Sequence, residues 1–339
     1  MLRCMYSGIS GMKVNQTKLD VIGNNIANVG TTAFKSSSAR FKDMLYQNAG
    51  EATSPTTVLG GTNAKQVGLG AQLSSINKVM GQGNALATGR SLDVCVDGDG
   101  YLVVCKGAVD GEVGPGADTT KSMGETLYTR DGNLTLDYQG NLLTADGHRV
   151  MGYYLTGTST GTNPASTGES LKYDTATGVP TATYVDADAK DLTASKAMKP
   201  LAIPDSVLVG TTADPVKKFE IGSDGVITVV LGSGKRSAIG QVAMASFKNP
   251  EGLTDLGGNM CLNSSNSGAT VYKTGKAEPA ATDNSKGYGS LIQGALEGSN
   301  VDLTEQFTDM ITATRSFQAA SKMITTGDEI LQTITGLMR

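Results

Sequence analysis

The chain has 339 residues and a net charge of −4, with Lys and Arg dispersed among Asp and Glu. That length exceeds the roughly 250–300 residues at which single cores stop growing, so several domains are expected. The absence of a basic stripe argues against a nucleic-acid partner. Glycine is abundant at 44 residues, aromatics make up only 5% and Trp is absent, which suits a turn-rich β body with modest cores.

No apolar run reaches the roughly 18 residues of a membrane-spanning helix, so no membrane insertion is expected. Arg3, Ser7, Ser10, Lys13 and Asn15 interrupt the apolar residues at the start, unlike a cleaved signal peptide. There, Leu2, Met5, Ile9, Met12, Gln16, Leu19, Gly23 and Ile26 follow alternating steps of three and four. This spacing predicts a helix with a heptad seam, ended near Asn28 and Gly30 by residues that tolerate the left-handed region.

Residues 31–70 are rich in Ser, Thr, Gly and Asn, with one amphipathic patch at Phe41, Met44, Leu45 and Tyr46, and read as an extended connector. Short β runs punctuated by Asp-Gly and Gly-Asn pairs then predict hairpins over Leu92–Val104, Tyr128–Leu136 and Asn141–Gly152. Asp97-Gly98-Asp99-Gly100 reads as a turn; a calcium loop of the EF-hand kind needs Asp or Asn where Cys95 stands. Cys4, Cys95, Cys105 and Cys261 lack C-x-x-C spacing and are read as free thiols.

Residues 154–199 carry few large apolar groups and are expected to form a small exposed insert with a thin core. The β pattern returns at Phe219–Leu231, turning at Ser223-Asp224-Gly225, and runs through Gln241–Phe247 to the bend at Asn249-Pro250-Glu251-Gly252.

Asp302-Leu303-Thr304-Glu305 reads as a capping box that starts a long helix, with Leu303 and Phe307 in its first turns. Met310, Phe317, Ile324, Leu331 and Met338 recur every seven residues, with Ala313, Ala320 and Gly327 between them and Ile334 closing the small series. Large knobs alternating with small holes predict a close helix-helix seam. Met323, Ile330 and Leu337 form a second line that widens the apolar face beyond what one partner helix covers.

The expected architecture is multidomain. The terminal α-helices, residues 1–30 and 302–339, form a coiled-coil-like inner assembly domain. A discontinuous all-β domain covers 71–153 and 200–301, with the insert at 154–199. The assembly interface is expected at Leu2, Met5, Ile9, Met12, Leu19 and Ile26, and from Leu303 and Phe307 through the Met310–Met338 series.

Catalysis finds little support. His148 is the sole histidine, which removes two-histidine metal sites and leaves any Ser-His-Asp arrangement dependent on one hairpin residue. No phosphate-binding glycine motif occurs, so no cofactor is expected. A secreted adhesin on a helical stalk is the alternative of another class, but a stalk needs one terminal helix, whereas both ends carry seams.

Three blocks carry a family resemblance: Ser7–Met12 with Leu19–Asn28, Tyr128-Thr129-Arg130-Asp131-Gly132-Asn133, and Gly294–Leu303. They resemble the axial proteins of the bacterial flagellum, the rod and hook family. The stretch Ala245–Leu253 followed by Leu256-Gly257-Gly258-Asn259 resembles the hook branch, with the distal rod as the alternative. The resemblance implies a self-assembling subunit of a hollow helical tube that transmits torque, outside the cell. It also implies export by the flagellar type III apparatus. The implied partners are further copies and adjoining rod, hook-cap and hook-filament junction proteins. Ala33 stands where the family pattern usually has glycine.

Overall fold

A computed structural model describes residues 2–57, 60–114, 117–118, 121, 123–157, 169–174, 178–189, 191–277 and 282–337. The chain divides into two units. One combines both ends, Met1–Gly81 with Ser299–Arg339; the other is the uninterrupted stretch Gln82–Gly298.

In the end unit, Leu2–Ala27 forms α1 and Leu303–Leu337 forms α2. The cap of α2 forms through Asp302, whose Oδ1 accepts the N–H groups of Thr304 and Glu305 at 2.8 and 3.3 Å. After α1 the chain turns at Ala33, whose φ of 55° lies in the left-handed region. Its Cβ is strained there, which explains why glycine suits this corner.

Residues 31–70 are more ordered than a connector. Ser37–Asp43 (β1) pairs antiparallel with Ala71–Lys78 (β4), and Tyr46–Gly50 (β2) with Lys65–Gly68 (β3). Polar side chains hold the tip of this nested hairpin, with Thr53 bonded to Thr62 and Gln66 to Asn48, each at 2.7 Å. Apolar periodicity, the signal for a half-buried strand, is therefore absent from a ladder that is nearly all exposed.

Two asparagines tie the crossing where the chain leaves and re-enters this unit. Asn300 Oδ1 accepts the Ser36 N–H at 2.7 Å, while its Nδ2 donates to the carbonyls of Val79 and Gly81 at 2.7 and 3.1 Å. The fully buried Asn25 exchanges both amide bonds with the backbone of Ser37 and donates to Gln306 Oε1 at 3.0 Å.

The described residues of the second unit are mainly β, with a 16-stranded sheet and two short 3-10 turns at Pro250–Gly252 and Ser285–Gly287. Its largest core joins Leu102, Leu134, Leu142, Leu171, Leu201, Ile227, Leu231 and Ile239. The hairpins over Asn141–Gly152 and Phe219–Leu231 form, the latter with Gly225 at φ 86°. Those over Leu92–Val104 and Tyr128–Leu136 do not. Val94–Asp97 pairs with Ser290–Gln293, while Tyr101–Cys105 pairs with Thr126–Thr129. Gly98 and Gly100, at φ 104° and 140°, turn the chain between separate sheets rather than back on itself.

The described part of 154–199 is integrated into this body rather than thin-cored. Thr193–Pro200 pairs with Arg149–Thr156, and Leu155, Leu171, Val185 and Met198 are fully buried. Few apolar residues suffice because the strands at 226–242 supply the other side of the core. Residues 158–168 and 175–177 lie outside the described residues.

A buried ion pair closes the unit. Arg130 Nε donates to Glu297 Oε2 at 2.8 Å, and its other nitrogens donate to the carbonyls of Val96, Gly98 and Gly100. Glu297 Oε1 accepts the Gly83 N–H at 3.1 Å, so one carboxylate binds both the entry and the exit of the unit. Arg130→Ala strands that carboxylate and should cost about 3–5 kcal/mol, read by chemical denaturation followed through tyrosine fluorescence. Ala33→Gly should instead stabilise the end unit by about 1 kcal/mol, read as a later loss of helical circular dichroism.

Candidate assembly interface

The helices α1 and α2 run antiparallel in a fixed register. Lys18 Nζ meets Asp309 Oδ1 at 3.2 Å, and Asn25 meets Gln306. Further along, a Cβ placed at Gly8 would lie 3.1 Å from Ile324 Cγ1, one at Gly11 3.8 Å from Ala320 Cβ, and one at Gly327 3.4 Å from Met5 Cγ. Each glycine thus receives a large side chain of the opposing helix or lets its backbone approach closely.

The predicted α2 series falls on this contact. Ala313 and Gly327 are buried, and Met310, Phe317, Ala320, Ile324 and Leu331 are half-buried; Ile334 is exposed, and Met338 lies outside the described residues. Leu303 and Phe307 sit on the outer side, 39% and 50% exposed.

The seam of α1 is rotated from the predicted line. Its buried residues are Gly8, Ile22 and Asn25. Met5, Met12, Leu19 and Ile26 flank them half-buried, whereas Ile9, Gln16 and Gly23 face outward. Nothing is described of the Leu2 side chain. Apolar spacing could not find this face, because a glycine and an asparagine occupy two of its central positions. The Asn24-Asn25 pair beside Gly23 was the available signal: a buried polar residue in a helix seam fixes register.

The pair leaves a set of large apolar side chains uncovered. Tyr6 and Ile9 on α1, and Phe307, Ile311, Met323, Ile330 and Leu337 on α2, are all at least 48% exposed. The β2–β3 ladder is likewise exposed along its length, and a two-stranded hairpin is marginal in water without a further surface. Both features leave surface open to further contacts.

The fold and this surface define a structural subunit whose two ends meet in one helix pair, with the middle of the chain forming an uninterrupted β unit. Residues 5–35 match a family described as flagella basal body rod protein. Residues 118–229 match the flagellar hook protein FlgE/F/G D1 domain, and 292–337 the flagellar basal body rod FlgEFG protein C-terminal family. The rod protein FlgG of Bacillus subtilis is 39% identical over 339 residues, covering the whole of both chains. FlgG of Agrobacterium fabrum is 30% identical over 98% of each. The hook protein FlgE of Borreliella burgdorferi is 28% identical over 458 positions, covering 99% of this chain and all of that protein. The chain belongs to the flagellar rod and hook (FlgE/F/G) family, structural components of the bacterial flagellum.

Gly8→Leu must displace Ile324 and should destabilise the helix pair by about 1–3 kcal/mol. Gly23→Ala, with nothing within 4 Å of the added Cβ, should stabilise it by up to about 1 kcal/mol. Because α1 and α2 both lie in the end unit, thermal melts followed by helical circular dichroism read the two effects directly.

Proposed function

We propose that this chain is a rod subunit of the flagellar basal body, the alternative that the sequence resemblance had placed behind the hook. The observation that carries this reading is the match to the rod protein of B. subtilis, end to end in an alignment of 339 positions. The alignment to the hook protein of B. burgdorferi instead needs 458 positions for a chain of 339.

The block that resembles the hook branch has a local structural explanation. Gly257, Gly258 and Asn259 have φ of 92°, 60° and 58°, which build the tight turn between Thr254–Gly257 and Met260–Leu262. Asn249 Nδ2 fixes the preceding bend by donating to the Asn266 carbonyl at 3.1 Å. These residues serve a turn in the β unit and favour neither branch.

In this reading the subunit polymerises through the outer faces of α1 and α2, while the inner seam holds the two ends of each copy together. Covering the rest of the seven exposed apolar side chains there contributes on the order of 5–10 kcal/mol. That only matches the cost of immobilising a subunit, so each copy requires several neighbours, as in a helical tube. The partners are other copies and the adjoining axial proteins, reached after export through the flagellar type III apparatus.

Immunogold electron microscopy of purified basal bodies, with antibody raised against the Gln82–Gly298 unit, tests the placement. Label confined to the rod is expected. Label along the hook would return the chain to the hook branch.

A further inference from the structure

A groove of about 760 Å³ runs along α1 within the end unit, on the side away from α2. Tyr6, Ile9, Lys13 and Val14 form one wall, and Leu69 and Leu73 belong to the other. Gly8 and Gly11 turn their backs to it and face α2. Along the helix the lining extends from Tyr6 to Thr17, about 16 Å at 1.5 Å per residue.

The helices differ in length. Met5 lies opposite Gly327, and α1 begins at Leu2, so the last two turns of α2 project beyond the start of α1. On them Ile334 and Leu337 are 41% and 82% exposed, and Ile330, just before them, is 50% exposed. Because α2 is one continuous helix, it carries these side chains away from the groove of its own chain.

Resting on the assembly reading above, we propose that the groove receives the carboxyl-terminal turns of α2 from a second copy. The charges match. Among the described residues, Lys13 is the sole charged one lining the groove, and Asp328 and Glu329 are the only charged ones from Met323 onward. The negative end of the α2 dipole adds to the attraction. The contact joins two different surfaces, so each copy can give it to one neighbour and receive it from another. It repeats from copy to copy, which generates an open helical assembly.

The test uses full-length chains in which Cys4 and Cys261 are replaced by Ser. One protein carries Leu73→Cys and the other Leu337→Cys; they are mixed, allowed to polymerise and treated with a short bis-maleimide. A crosslinked dimer is expected from the mixture and none from either protein alone. Polymers that yield no crosslink would overturn the groove contact and leave the assembly reading standing. Failure of the unaltered chain to polymerise would overturn the assembly reading, and the groove contact with it. Lys13→Glu should raise the concentration needed for polymerisation several-fold, and Glu329→Lys should restore it. An unchanged threshold in Lys13→Glu would count against the charge pairing.

Discussion

The register of the α1–α2 pair is the constraint from which the rest of the end unit follows. Asn25 is fully buried and shares its amide between Ser37 and Gln306, so sliding α2 along α1 would break the bond to Gln306 and leave one N–H of that buried amide unpaired. Such a loss costs about 1–3 kcal/mol. Held in that register, Ile324 meets Gly8 and Met5 meets Gly327, and the backbones approach closely. One helix turn of slippage would set large residues against each other. A polar residue thereby specifies which apolar residues are covered and which are left outside.

That division explains an otherwise costly surface. A monomeric protein rarely exposes a contiguous apolar patch of more than a few hundred Å². Here Phe307 and Ile311 on one stretch of α2, and Met323, Ile330 and Leu337 on another, are exposed beside a seam that is already satisfied. The seam joins the ends of one chain, and the outer lines are what remains for association. Glycine serves the first task by allowing close approach, at a cost in intrinsic helix propensity of about 1 kcal/mol per residue. Packing between α1 and α2 offsets it.

Legibility in the sequence followed the physics of each element. The α2 seam was readable because large and small residues repeat every seven from Met310 to Leu331, and the Asp302 cap because its geometry is local. The α1 face was misplaced by part of a turn: Gly8 and Asn25 are invisible to an apolar count, which selected Ile9 and Gly23 instead. Strands β1, β2 and β3 lie in the stretch that reads as a connector, because they bury little. Pairing partners such as Val94–Asp97 with Ser290–Gln293 are separated by nearly 200 residues, and no local pattern records such a distance. Arg130 and Glu297 were noticed only as parts of two resembling blocks; their ion pair depends on that same long-range closure.

Ala33 shows how a local departure can be informative. Its φ of 55° means that the corner keeps its geometry despite a residue that disfavours it. The hydrogen bonds around it account for this, because Asn300 accepts from Ser36 and donates to Val79 and Gly81, and its own N–H reaches Phe34 at 3.3 Å. The corner is over-determined by the crossing it belongs to, so about 1–2 kcal/mol of strain can be absorbed. The same over-determination recurs at Glu297, which grips both Gly83 and Arg130. In each unit the chain enters and leaves through a polar clamp rather than a free linker, and a clamp resists displacement of either strand.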